Sequence, residues 1–508
     1  MTFDPDALRE SLRRPRVESC LSLLAGVGMV TAFAPFYLWP MAVLSLAAAF
    51  WLWRGHPPRR ALWLGWLFGL GMFGAGTYWL YVSLHVFGGV VLPLALLLMA
   101  ILVCFLALFP ATVAWLAARL APEGHWQREL LLLPALWGLS EWVRSWFLSG
   151  FPWLAAGYSQ TDGPLAGFAP ISGVYVLGAL LALSAGLLLV LLRQTRWWRT
   201  LPAAGLAVLW LSGLGLQQLE YSQPDGEPIE TAMVQGSVPQ DLKWAPEQRD
   251  PTIALYTEQT REHWDQADLI VWPEAALPVL KHEVAYEVIE PLEEEAQEHD
   301  TDLVMGILSR EEDRFFNNIL SLGEERSIYR KHHLVPFGEF FPVPDFMREW
   351  LRLMNLPHSD FERGERDQKP LQLRGHAAAP SICYEDVFPR HIIRPIPQSG
   401  LLLNVSNDAW FGESIAPHQH LQIARMRSIE TRRPMVRATN TGISAFIDHH
   451  GHIEDQYPQF ETGVLSGQVQ PRKGTTPYVA TGNGPGVVFM GLLLVIAVLL
   501  RRGRRHAE

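Results

Sequence analysis

The run Leu92-Pro93-Leu94-Ala95-Leu96-Leu97-Leu98-Met99-Ala100-Ile101-Leu102-Val103-Cys104-Phe105-Leu106 carries no charge, and the sequence stays apolar to about residue 118. About 20 predominantly apolar residues suffice to cross a hydrocarbon core of roughly 30 Å. The run therefore reads as part of a membrane span at about 90–118. Comparable stretches lie on both sides of it, at about 19–36, 39–54, 61–84, 130–147, 166–192 and 200–216, with a last one at about 484–500. The expectation is a transmembrane bundle of about eight helices. The first span follows Arg-rich sequence, as a signal peptide would, but no small-residue cleavage site comes after it, so it reads as a retained helix.

The basic residues orient these spans. If the N-terminus is cytoplasmic, the inside segments hold 16 arginines and the short outer loops only Arg144. That bias is the positive-inside pattern. It expects both termini in the cytoplasm and the long segment from about residue 220 to 475 on the outer face. The composition (49% hydrophobic, 18% charged, 20 Trp) is set by the membrane block, and the net charge of −10 comes from acid in the outer segment, such as Glu290–Glu298. Nothing in this pattern offers a nucleic-acid surface. The expected division is 1–219 for seven helices, 220–475 for a globular domain, and 476–508 for a last helix with a basic tail.

The globular segment alternates short apolar runs with amphipathic stretches. Strands are predicted at Ile229–Gln235, Leu269–Trp272, Leu303–Ile307, Ile319–Leu322, Ala379–Cys383, Leu401–Val405 and Ile443–Ile447, and helices at 248–266, 283–299 and 416–430. Such alternation argues for an α/β layered domain. Two of the three cysteines, Cys20 and Cys104, lie in apolar spans. Cys383 is left without a disulfide partner where thiols tend to oxidise, so it is either buried and inert or a nucleophile. It ends an apolar run, in Ser381-Ile382-Cys383-Tyr384-Glu385. Glu274 follows another, in Val271-Trp272-Pro273-Glu274, where Pro273 forbids continuation of the strand ladder. Lys331 precedes the turn in Leu334-Val335-Pro336-Phe337-Gly338-Glu339. Sites in open α/β sheets form from loops at strand ends, and three such ends could gather Glu274, Lys331 and Cys383.

Those three motifs, in that order, resemble the nitrilase (carbon–nitrogen hydrolase) superfamily. Asn404-Val405-Ser406-Asn407-Asp408-Ala409-Trp410 and Arg437-Ala438-Thr439-Asn440 add to the likeness. With the membrane block, Gly150-Phe151-Pro152-Trp153 and Gly157-Tyr158-Ser159-Gln160, residues 19–500 resemble the bacterial apolipoprotein N-acyltransferase family. The resemblance implies an α-β-β-α sandwich facing the periplasm, on a multi-pass protein of the inner membrane. It implies a Glu274–Lys331–Cys383 triad, supported by Glu339, Tyr384 and Glu385. A carboxylate serves as general base for the thiol, and an ammonium lowers the thiol pKa and stabilises the oxyanion. The Tyr384 backbone N–H is a second oxyanion donor in this reading. Glu339 either orients Lys331 or merely caps its turn.

The implied reaction moves a fatty acyl chain from a phospholipid to Cys383, then to the α-amino group of a diacylglyceryl-modified apolipoprotein. No cofactor or metal is implied, and His418-Gln419-His420 lacks a third ligand motif. The apolar stretch from Phe340 and Phe341 to Met354 reads as a lipid-admitting arm near the bilayer, or as domain packing. Trp244 reads as a wall of the acyl path or as a core side chain. Asn317 either binds near the site or caps a hairpin. Glu141 and Arg144, on one helix face near the end of a span, are paired or functional. Two rival readings use the same chain: an anchored amidase or nitrilase with water as acceptor, and a transporter or lipid receptor with an inactive domain.

Overall fold

The computed structural model describes residues 14–121, 126–193, 199–340 and 361–505. Two compact units emerge. The first comprises the chain up to Leu219, the segment Glu413–Gln422 and the chain from Thr481 onward; the second comprises Glu220–Gly412 and Ile423–Ala480.

The first unit is helical. Its helices run Pro15–Val30, Pro40–Leu52, Pro58–Gly76, Leu92–Leu106, Leu108–Leu120, Leu133–Arg144, Ala169–Arg193, Thr200–Gln217 and Gly484–Arg505. Among the described residues, three helices are long and apolar enough to cross a membrane: Leu92–Leu120, Pro164–Arg193 and Thr200–Gln217. The Pro40–Leu52 and Gly484–Leu500 stretches are apolar but shorter. The first helix ends at Val30, sooner than hydropathy suggests, and Tyr37 beyond it has φ 54°; Gly173, with φ 75°, breaks helical geometry inside Ala169–Arg193 without ending it. Leu92, Leu94, Leu96, Leu97, Leu98 and Ile101 are all exposed on one helix. That is the surface a hydrocarbon solvent would cover. Close packing rests on small residues: a Cβ on Gly26 would lie 2.0 Å from the Phe68 carbonyl oxygen.

Glu141 and Arg144 lie on the helix Leu133–Arg144 and are buried. The Glu141 carboxylate accepts hydrogen bonds from Trp137 Nε1 at 3.0 Å and from the Ala156 amide at 2.7 Å. Arg144 donates to the carbonyls of Phe151 and Trp153, both at 2.6 Å. The two residues thus fasten the Phe151–Ala156 loop to the bundle. In this unit too, Gln419 accepts from Trp153 Nε1 at 2.7 Å, and His420 packs on the Trp153 ring.

The second unit is built on two six-stranded sheets. One contains β2 (Ile229–Gln235), β3 (Leu269–Val271), β4 (Asp302–Glu311), β5 (Arg314–Leu322), β6 (Ser327–Arg330) and β13 (Gly463–Val469), in the order β13-β2-β3-β4-β5-β6. The other contains β7 (Leu371–Leu373), β8 (His376–Ile382), β9 (Leu401–Ser406), β10 (Met435–Thr439), β11 (Ala445–Ile447) and β12 (Ile453–Gln456), in the order β12-β11-β10-β9-β8-β7. A short ribbon pairs β1 (Ser222–Pro224) with β14 (Arg472–Gly474).

The side-chain period of a strand explains the layers. Leu269 and Val271 of β3 join Leu401, Leu403 and Val405 of β9 in one cluster between the sheets. Ile270 and Trp272, which alternate with them, join Tyr256, Trp264 and Leu292 on the other face. The helices Arg249–Arg261 and Glu290–Glu298 therefore cover the outside of the first sheet. Strands clad on both faces are buried along nearly their whole length, as β9 is. This is why they read as continuous apolar runs.

Candidate active site

Three loops at strand ends converge in the second unit. The first follows β3. The Trp272 amide still bonds to the Val304 carbonyl, and Pro273 then ends the ladder and turns the chain so that Glu274 lies over β4. Gly306 of β4 permits this passage, because a Cβ there would meet Pro273 O at 2.3 Å and Glu274 Cα at 2.6 Å. Both obstacles are backbone, so they cannot rotate away. Gly306→Ala should lower stability by about 1–3 kcal/mol, as overpacking does, and should displace Glu274. An unchanged melting temperature together with unchanged activity would refute this account of the loop.

Glu274 is buried and accepts three hydrogen bonds. Its Oε1 takes Asn317 Nδ2 at 2.7 Å and Lys331 Nζ at 3.1 Å, and its Oε2 takes the Asn407 amide at 2.9 Å. Lys331, 1% exposed, follows β6. Its Nζ also donates to Glu339 Oε1 at 2.7 Å. Burial opposes the charge on Lys331, yet Glu274 and Glu339 outweigh it and hold the ammonium well above the ordinary lysine range. Burial and the nearby Glu274 push the Glu339 carboxyl upward, against the pull of Lys331. Glu339 Oε2 also accepts the Val335 amide at 2.8 Å, so this residue both caps its turn and faces Lys331. Asn317 lies within β5, opposite Leu308, and donates to Glu274 and Glu339 together. It does not cap a hairpin.

Cys383 follows β8 with φ 49°, a left-handed conformation that costs a non-glycine residue of order 1–3 kcal/mol. The strain turns the chain sharply out of the strand, and Ile382 before it stays in the inter-sheet core. The thiol interacts with both Glu274 and Lys331. Lys331 pulls the thiol downward, as expected, but it does not win. Burial, reinforced by Glu274, raises the thiol well above its usual value. A thiol held in its protonated form requires a general base, and Glu274 is placed to be one.

Glu385 holds the elbow. It is fully buried and accepts from Tyr329 Oη, the Ile382 amide, and the amides of His332 and His333, all at 2.8–3.0 Å. One carboxylate thereby ties the Cys383 turn to the Lys331 turn. The Tyr384 ring packs on Phe388 and His333. Trp244 is 37% exposed on its turn and is not a core side chain. Phe341, with the stretch that continues to Met354, lies outside the described residues.

Sequence reasoning gave no role to several residues that support this arrangement, although some lie in the motifs it singled out. Buried Arg437 of β10 joins Asp386, Asn404 and Asp408 at 2.6–3.1 Å. Asn440 brackets Val238, accepting from its amide and donating to its carbonyl. Asn407 Nδ2 donates to Gln240 at 2.9 Å. The one potential metal cluster among the described residues is Glu220, His449 and His450, not the His418–His420 segment. Arg432 donates to His450 Nδ1 at 2.7 Å, which leaves His450 Nε2 carrying its proton toward Glu220, while Arg472 also pairs with Glu220. The cluster is knit by ion pairs and crowded by guanidinium groups.

Residues 25–187 match the family described as Apolipoprotein N-acyltransferase N-terminal domain, and residues 230–478 match Carbon-nitrogen hydrolase. Among curated relatives, the apolipoprotein N-acyltransferase of Methylococcus capsulatus is 42% identical over 96% of this chain and 97% of its own. That of Nitrosomonas europaea is 45% identical over 94% and 97%, and that of Vibrio parahaemolyticus 41% over 97% and 98%. With both parts of the chain matched and nearly the full length of these relatives covered, the chain belongs to the apolipoprotein N-acyltransferase family.

Proposed function

We propose that this protein transfers a fatty acyl chain from a membrane phospholipid, through a thioester on Cys383, to the α-amino group of a diacylglyceryl-modified apolipoprotein. The observation that carries the reading is the buried Lys331 bridging Glu274 and Glu339 beside a thiol on a strained elbow. Family membership supplies the substrates, since the relatives are named for acylating apolipoproteins.

In the first half-reaction Glu274 takes the Cys383 proton and the thiolate attacks the ester carbonyl carbon. Lys331 and the Tyr384 amide bear the oxyanion. Collapse expels the glycerol oxygen, which regains the proton from Glu274 and leaves as lysophospholipid. In the second, the lipoprotein amine attacks the thioester, Glu274 takes the surplus proton, and the thiolate departs to be reprotonated. Two half-reactions through one covalent intermediate make the kinetics ping-pong. Testing for the intermediate on Cys383, in the absence of acceptor, tests the proposal.

The same reading assigns about eight spans, both termini in the cytoplasm, residues 220–475 at the periplasmic side of the inner membrane, and Phe341 to a lipid-facing arm. The arginine bias supports it. Cysteine labelling in intact cells should find residue 300 reactive to an impermeant reagent and residue 505 protected. Equal reactivity at both positions would remove the odd number of spans between them and overturn the topology.

A further inference from the structure

The two oxygens of Glu274 are unequally occupied. Its Oε1 accepts two donors, Asn317 Nδ2 at 2.7 Å and Lys331 Nζ at 3.1 Å, whereas its Oε2 accepts the Asn407 backbone amide at 2.9 Å and nothing else. A carboxylate oxygen has two lone pairs. Oε1 is therefore full, and the open acceptor site is on Oε2. The group that fixes Oε2 is the Asn407 amide, which belongs to no ladder. β9 ends at Ser406, the last residue it pairs with β10, and the next N–H leaves the sheet for the carboxylate.

The Asn407 side chain is held from both ends. Asn440 takes its orientation from the backbone of the turn after β2: its Oδ1 accepts the Val238 amide at 3.0 Å, and its Nδ2 donates to the Val238 carbonyl at 2.8 Å. The second Nδ2 proton of Asn440 goes to Asn407 Oδ1 at 3.2 Å. Asn407 Nδ2 then faces Gln240 Oε1 at 2.9 Å. The backbone at Val238 thus decides which end of each amide is which. Asn407, Asn440 and Gln240 are all buried, where polar groups are tolerated only when hydrogen-bonded. What this clamp delivers outside itself is one N–H, and that N–H goes to Glu274.

We propose that Asn407 is a positioning residue for the general base: its clamped side chain sets its backbone N–H on Glu274 Oε2 and leaves that oxygen one lone pair, which takes the Cys383 proton. The proposal rests on the Glu274–Cys383 reading above. In the first half-reaction the S–H bond breaks, its electron pair stays on sulfur, and the proton bonds to Oε2. It leaves Oε2 for the glycerol oxygen when the tetrahedral intermediate collapses. Lys331 and Asn317 stay on Oε1 throughout, so the carboxylate does not turn between the two transfers. Proton transfer needs donor and acceptor held within hydrogen-bond reach, and a carboxylate fixed at one oxygen alone could swing the other away from the thiol.

The test is single-turnover acylation of Cys383 by a diacyl phospholipid in three variants of the full-length enzyme. Asn407→Leu keeps the bulk of the side chain and removes both clamp contacts. Its saturating rate should fall by up to ~10²-fold, as misplacement of a catalytic group by about 1 Å does. The phospholipid concentration that gives half-saturation should not change. Its melting temperature should fall as well, because Gln240 Oε1 loses its donor in the interior. Asn407→Leu combined with Gln240→Leu removes that orphaned acceptor, and should recover melting temperature without recovering rate. Gln240→Leu alone, at a residue that gives Glu274 no hydrogen bond, should lower the saturating rate in the same way by a smaller factor; it decides the question alone if Asn407→Leu does not fold. A rate that returns together with the melting temperature would make the clamp merely structural and overturn the proposal. So would an unchanged saturating rate, or a raised half-saturating concentration at an unchanged saturating rate. Absence of any Cys383 adduct in the wild-type enzyme would instead overturn the reading on which it rests.

Discussion

Replacing Lys331 by methionine should slow acylation of Cys383 by at least ~10²-fold, the loss expected when an oxyanion donor is removed. Lys331 is 1% exposed and lies 3.1 Å from Glu274 and 2.7 Å from Glu339, so bulk water does not stand in for it. Its removal leaves two carboxylates facing each other in a poorly solvated space. Breaking a buried pair by deleting one partner costs about 3–5 kcal/mol, a large share of the stability of an ordinary domain. A slow variant could then simply be an unfolded one. Lys331→Met combined with Glu339→Gln separates the two effects, since one cation and one anion leave together. The double variant should recover much of the melting temperature and none of the rate. Near-normal single-turnover acylation in either variant would remove Lys331 from the chemistry.

Cys383→Ser should abolish the covalent intermediate altogether while leaving the fold intact. Serine has nearly the shape of cysteine and can adopt the same backbone, so the elbow at φ 49° and the four donors gathered by Glu385 should persist. The chemistry does not persist. Glu274 must take a proton from a thiol already pushed above its usual range, and a serine hydroxyl is far harder to ionise. Cys20→Ala and Cys104→Ala should change little, because both residues sit in apolar helices. A Cys383→Ser variant that retained full acyl transfer would exclude nucleophilic catalysis by this residue.

Some of this site could be read from the chain and some could not, for physical reasons. Ile229–Gln235 and Leu401–Val405 were legible as strands because both sheet faces are covered, so apolar residues dominate and only Glu230, Thr231, Gln235 and Asn404 interrupt them. Glu274 and Cys383 were legible because each ends an apolar run, and Lys331 because it precedes a Pro-Phe-Gly turn. β10 (Met435–Thr439) was not, because buried Arg437 interrupts its apolar pattern. Its pairing with Asp386 and Asp408 depends on residues distant in sequence. The burial of Lys243 was illegible for a related reason: a lone lysine before a tryptophan normally points to water, and only the fold buries it. Lys331 draws the Cys383 thiol downward as expected, but the net rise was illegible because desolvation cannot be inferred from motifs. Helix lengths were the least legible feature. Hydropathy persists across backbone breaks such as Gly173, and charges such as the buried Glu18 enter an otherwise apolar helix.

The central claim is that Cys383 carries the acyl group between two lipid substrates, and intact-mass spectrometry tests it most directly. Purified enzyme incubated with a diacyl phospholipid alone should gain one acyl chain, located by peptide mapping on Cys383. A diacylated lipopeptide with a free α-amine should then discharge the adduct, and the same lipopeptide with that amine blocked should leave it in place. An adduct that water removes as fast as the free amine does would make the enzyme a hydrolase. No adduct at all, in an enzyme still active in acyl transfer, would contradict the covalent mechanism itself.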